Sequence, residues 1–152
     1  MTIIIDEDEY TISSDKDKLQ IDVIHKFLSN SYWAKEIPIS IVKKSIENSL
    51  CFGVYHQNIQ IGFARIVTDF ATFAYLADIF ILENFRRKGL SKLLMKHIIE
   101  YPGLQKLRTW ILKTKDAHDL YKKFGFDSPK FPEIIMELSG LPDGYSKMEI
   151  YK

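Results

Sequence analysis

Residues 73–82, FAYLADIFIL, form an almost unbroken apolar run in which Asp78 is the single charged side chain. A run of this length and character predicts a central strand buried on both faces. It is followed by FRRKGLSKLL at residues 85–94. Leu90, Leu93, Leu94 and Ile98 then recur at helical spacing until Pro102-Gly103 ends the pattern. A second apolar stretch, KLRTWILK, follows at residues 106–113. Strand, helix and strand in this order predict a βαβ unit, whose two strands lie parallel and are joined by a right-handed crossover.

The remaining elements are arranged around that unit. EYTIS at residues 9–13 is read as a first strand. Leu19, Val23, Ile24, Phe27 and Leu28 mark a helix over 19–28, with a cap offered by residues 15–18. SYWAKEIP at residues 31–38 is a loop carrying two aromatics, and Ser40 is placed as the cap of a second helix holding Ile41, Val42, Ile46 and Leu50. CFGVYH and IQIGFARIV flank Gln57-Asn58, a hairpin signal. Residues 116–124 form a short helix with Ala117, Leu120, Tyr121 and Phe124 on one face, stopped by Gly125. IIMEL at 134–138 and SKMEIY at 146–151 are read as final strands. The fold class expected is α/β (α+β): a mixed central sheet of about six to seven strands flanked by helices on both faces. With 152 residues, no repeat and no linker, one domain over 1–152 is the default.

Composition excludes several classes of function. Twenty-one cations against twenty anions leave a net charge of +1, so no overall basic field points to nucleic acid. A single cysteine, Cys51, allows neither a disulfide framework nor a cysteine-rich metal site, and it is expected to be a small buried apolar residue. His25, His56, His97 and His118 lack metal-ligand spacing, so no metal is expected. No apolar run reaches the roughly 20 residues of a membrane span, and the start of the chain lacks a secretory pattern. A cytoplasmic protein without membrane contacts is the expectation. The acidic residues 6–9 are read as a solvated face.

Arg86, Arg87 and Lys88 lie just before the helix, where unpaired N–H groups and the positive end of the helix dipole favour an anion. Gly89 lets a ligand approach the backbone, and Ser91 is small and carries a hydroxyl. The alternative is a solvated basic turn.

The stretch Arg86-Arg87-Lys88-Gly89-Leu90-Ser91 resembles the R/Q-x-x-G-x-G/A signature of the GNAT superfamily of acyl-CoA-dependent N-acyltransferases. Ala117-His118-Asp119-Leu120-Tyr121-Lys122-Lys123-Phe124-Gly125-Phe126 resembles that family's A-x-x-L-Y-x-x-x-G-F helix. The two motifs stand in the family's order, with Ser91 in place of the usual Gly or Ala and Thr114 where many members carry a cofactor-binding Asn.

The resemblance implies acetyl transfer from acetyl-CoA, as co-substrate, to a primary amine of a small molecule, by direct attack in a ternary complex. It implies that the backbone of residues 86–91 holds the pyrophosphate: Arg86, Arg87, Lys88, Gly89, Leu90 and Ser91. It implies that the pantetheine arm lies along Ile79, Phe80 and Ile81, and that Tyr121 lies near the thioester sulfur as an acid for the leaving thiolate. On helical periodicity alone Tyr121 reads as a core residue, on one face with Ala117, Leu120 and Phe124. Asp78, a carboxylate within an apolar strand, is the candidate base; it is alternatively a structural aspartate bonded to Arg65 or to backbone N–H groups. Glu83 is a weaker candidate. The resemblance puts the acceptor pocket at the loop bearing Tyr32 and Trp33, with Phe131 and Pro132 as a further wall. Members often form dimers, so a homodimer is one expectation. A non-catalytic acyl-CoA sensing module, a protein or peptide amine acetyltransferase, and a nucleotide-phosphate binder are the competing readings, the last lacking the common phosphate-loop motifs.

Overall fold

The computed structural model describes residues 2–4 and 10–147. Its elements run β1 (Thr2–Ile4), β2 (Tyr10–Ser13), α1 (Ile21–Ser29), α2 (Ile39–Glu47), β3 (Leu50–His56), β4 (Ile59–Thr68), β5 (Phe73–Ile81), α3 (Leu90–Ile99), β6 (Thr109–Leu112) and α4 (His118–Lys122). The strands form one six-stranded sheet in the order β1-β2-β3-β4-β5-β6. Neighbours are antiparallel from β1 to β5. β5 and β6, joined through α3, are parallel. The expected βαβ unit and mixed sheet are therefore present.

Side-chain alternation along the strands divides the core into two layers. On one face Phe52, Val54, Ala64, Ile66, Ala74 and Leu76 pack with Leu90, Leu94, Met95 and Ile98 of α3. Those four α3 residues form one stripe along the helix. On the other face Cys51, Phe63 and Phe80 pack with Ile24 and Leu28 of α1 and with Val42 and Ile46 of α2, each pair one helical turn apart. Cys51 is buried, and burial pushes its thiol up to about 11, so it remains a neutral apolar filler. The hairpin between β3 and β4 turns at Gln57 and Asn58, whose φ values of 50° and 68° suit a two-residue turn that follows strand twist.

The loop between β4 and β5 is held by one carboxylate. Asp69 accepts backbone N–H bonds from Ala71, Thr72 and Phe73 at 2.9, 2.7 and 3.3 Å, and the Thr72 hydroxyl at 2.7 Å. These donors hold its carboxyl well below the usual carboxylate range. A depressed folded-state pKa stabilises the fold above the ordinary Asp value and loses that contribution as pH falls through the depressed one. Asp69→Ala should therefore lower the melting temperature at neutral pH, and the gap from the parent should narrow toward about pH 2. Thermal melts at the two pH values check this.

Several boundaries differ from the sequence reading. Asp15 caps a short 3-10 turn at Lys16–Lys18, and α1 begins after Gln20 without a side-chain cap. α2 starts after Pro38, which places Ser40 inside its first turn. Leu50 belongs to β3. Residues 134–138 are not a strand: Pro132–Ile134 is a 3-10 turn and the rest is irregular. The apolar pattern of 134–138 is right for a strand, but no neighbouring strand pairs with it among the described residues. Of the last expected strand, Tyr145–Lys147 is a 3-10 turn, and the remainder lies outside the described residues, as does the acidic run 6–9. No helix among the described residues is long and apolar enough to cross a membrane.

Candidate active site

A break in the ladder creates the site. β4 and β5 pair Phe63 with Phe80 and Arg65 with Ala77, so Asp78 and Ile79 together oppose Ala64 alone. This is a β-bulge, which bends its strand. Asp78 sits at φ 53°, in the left-handed region. On the other side of β5, pairing with β6 ends at Leu76 and Leu112. Beyond that point the two parallel strands part. A cavity of about 930 Å³ opens between residues 75–81 and residues 112–117, within the usual size range of a small-molecule site.

Tyr32, Trp33, Asp78, Ile79, Phe80, Ile81, Arg86, Ser91 and Tyr121 all line this cavity. Residues from three regions far apart in sequence, 32–33, 78–91 and 121, thus meet in one place. Phe80 turns its ring toward α1 and stacks on Phe27 at 3.9 Å. Ile81 is buried in the α3 layer. What these residues can offer the cavity is therefore backbone.

The turn into α3 is open. Gly89, at φ 77°, caps the helix, with no side chain bonded to its first N–H groups. A Cβ built on Gly89 would meet nothing within 4 Å. Arg87, at φ 64°, adds a second left-handed residue. Arg86 is tied back to β5 by an Nε–H bond to the Ile81 carbonyl at 3.0 Å. Leu90 turns its side chain into the core, so its backbone N–H is the group it can present to a ligand. Arg87, Lys88 and Gly89 are exposed, and neither they nor Leu90 line the cavity, which Arg86 and Ser91 reach from this turn.

Asp78 is held from two sides. Arg65 Nε–H donates to Oδ2 at 2.8 Å and Trp33 Nε1–H donates to Oδ1 at 2.9 Å. Arg65 also donates to the Ser49 hydroxyl at 3.2 Å. The partner anticipated from sequence, Arg65, is thus in place, and Trp33 is an additional one. Each carboxylate oxygen still has a lone pair free.

Tyr121 is half-buried, packing against the α3 layer and edge-on to Phe126 at 6.2 Å while lining the cavity. Burial, then the neighbouring Tyr32 and Asp116, push its phenol above its ordinary value. Tyr121 is therefore protonated throughout the neutral range. One side of this ring packs on the core and the other borders the cavity.

Tyr32 and Trp33 stand 60% and 42% exposed at the other rim, with rings edge to face at 5.1 Å. Lys115 Nζ lies 5.3 Å from the Tyr32 ring centroid, bridging the two walls. Thr114 lines the cavity, and its hydroxyl accepts the Ala117 N–H at 3.0 Å, fixing the entry to α4.

Other sequence candidates lie elsewhere. Phe131 and Pro132 do not line the cavity; Tyr145, Tyr75 and Phe27 supply aromatic walls instead. Glu83 lies exposed in a 3-10 turn at Glu83–Phe85. The histidines are dispersed: His25 bonds the Ile37 carbonyl at 2.9 Å, His56 stacks on Tyr10, His97 meets Phe52 edge-on and His118 begins α4. Tyr75 had a signal, since it shares a β5 face with Ala77. Tyr145 had none, because it arrives from a distant irregular segment.

Comparison with known proteins agrees with this geometry. Residues 47–128 match the family described as "Acetyltransferase (GNAT) domain". A solved structure from Xanthomonas campestris pv. campestris, described as a GNAT-family acetyltransferase, is 45% identical with a TM-score of 0.84, covering 86% of this chain and 92% of that one. A Gibberella zeae protein named as an acetyltransferase is 29% identical over 76% of this chain and 77% of its own length. A GNAT-family acetyltransferase from Elizabethkingia anophelis, solved with acetyl-CoA bound, shares the fold at a TM-score of 0.62 and 17% identity, over 86% of this chain and 88% of that one. The two motifs, the split between β5 and β6 and these matches together place the chain in the GNAT acetyltransferase family.

Proposed function

We propose that the protein transfers an acetyl group from acetyl-CoA to the primary amine of a small molecule, both substrates being bound together. The observation that carries this reading is the cavity itself, in which the bulged strand β5, Arg86 and Ser91 from either side of the open Gly89 turn, and Tyr121 converge. Acetyl-CoA supplies an acetyl group activated as a thioester. The fit rests on Gly89, whose missing side chain leaves the helix N-terminus accessible to phosphate oxygens. The backbone of residues 86–91 would hold the pyrophosphate, with Arg86, Arg87 and Lys88 adding charge. The backbone of Ile79, Phe80 and Ile81, freed from β6, would take the pantetheine arm as an added strand.

The chain must then manage protons and charge. An amine with a pKa near 10 is free at pH 7 in roughly one molecule in a thousand. Asp78 would accept its proton, directly or through water. Backbone N–H groups near Phe80 would stabilise the developing oxyanion. Tyr121 would deliver a proton to the departing sulfur. Tyr32 and Trp33 would border the acceptor, with Trp33 also fixing the Asp78 carboxylate.

The test is release of free thiol from acetyl-CoA across a panel of small amines and N-terminal peptides; turnover only on peptides would favour the protein-directed reading. Asp78→Asn keeps the shape but removes the charge. It should lower kcat about a hundredfold while the affinity for acetyl-CoA changes little by calorimetry. Loss of thermal stability without loss of turnover would assign Asp78 to holding Arg65 and Trp33 alone.

A further inference from the structure

We propose, resting on the acetyl transfer set out above, that the acceptor is an arylalkylamine: one primary amine on a short chain from an aromatic ring. The acceptor end of the cavity is walled by rings. Phe27 of α1, Tyr32 and Trp33 of the α1–α2 loop, Tyr75 of β5 and Tyr145 all line it. Three of these continue one another: Phe27 lies 6.1 Å from Trp33, and Trp33 5.1 Å from Tyr32, centroid to centroid. Trp33 and Tyr32 are 42% and 60% exposed, so the protein core leaves part of each ring uncovered. Aromatic faces and edges favour a flat partner ring beyond the area it buries. Ile37 and Ile41 extend the apolar wall. Trp33 Nε1–H bonds Asp78 at 2.9 Å, so a ring seated on Trp33 has the carboxylate beside it, within reach of an amine on a short chain.

Charge argues against a second amine on the acceptor. The cavity sets the carboxylates Asp78 and Asp116 against the cations Arg65, Arg86, Lys113 and Lys115. Arg65 already occupies one oxygen of Asp78 at 2.8 Å. Lys115 stands 5.3 Å from the Tyr32 ring centroid and is paired with no carboxylate among the described residues. A polyamine entering here would set its second ammonium against these cations, and like charges repel. A single amine on an uncharged ring meets no such penalty.

The test compares phenethylamine, hexylamine and spermidine on the full chain. Thiol release from acetyl-CoA gives kcat/KM, and calorimetry on the protein saturated with coenzyme A gives affinity in parallel. Phenethylamine should exceed the other two about tenfold in both. Tyr32→Ala should bring the phenethylamine-to-hexylamine ratio toward one. Lys115→Glu should raise spermidine relative to hexylamine about fivefold. Hexylamine or spermidine accepted as well as phenethylamine, or ratios unmoved by both substitutions, would overturn the arylalkylamine class. Absence of thiol release from every amine would instead sink the transferase reading, and calorimetry would still decide the ring preference.

Discussion

Gly89→Glu is expected to abolish acetyl-CoA binding, by a hundredfold or more in Kd. Two effects act together. The new side chain occupies the space that is empty within 4 Å of the Gly89 Cβ position, and its carboxylate faces the site where the pyrophosphate would lie. The backbone there has φ 77°, so any side chain adds strain of about 1–2 kcal/mol. A domain stable by about 5–15 kcal/mol tolerates that strain. Gly89→Ala carries the same strain without the charge and serves as the control; it should weaken binding far less. A folded Gly89→Glu protein with unchanged affinity would remove the anion site from the account.

Tyr121→Phe should separate chemistry from binding. Phenylalanine keeps the ring that packs against the α3 layer and Phe126, so folding and acetyl-CoA affinity should hold. What disappears is one proton donor, and kcat should fall by about 10²–10³-fold. The pH dependence carries the same signature. The acid must be protonated to act, and burial raises the Tyr121 phenol, so activity owed to it persists through neutral pH and is lost only above the ordinary tyrosine value near 10. An unchanged kcat would return Tyr121 to a packing role.

The parts of this protein that could be read from sequence are those governed by local rules. The run 73–82 and the stripe Leu90, Leu94, Ile98 each announce a buried element by spacing alone, and their order requires the parallel pair β5–β6. Gly89 and its cations mark the helix start for the same reason. The geometry that makes the cavity was not legible. The bulge at Asp78 depends on the register of β5 against β4; contact with Arg65 is a sequence alternative, but sequence does not show that it forms with Arg65 paired to Ala77. The Trp33 bond to Asp78 depends on where the α1–α2 loop folds. Residues 134–138 show the opposite failure: an apolar pattern suited to a strand, without a partner in the same chain among the described residues. Pattern specifies what a segment can become, and tertiary or quaternary pairing decides whether it does.

The most direct test of the central claim is calorimetric titration of the purified protein with acetyl-CoA, with coenzyme A and ATP as comparators. The account predicts binding in the micromolar range, with acetyl-CoA preferred to coenzyme A and ATP bound weakly. Absence of binding would reduce the turn at residues 86–91 to a basic surface loop and contradict the proposed reaction.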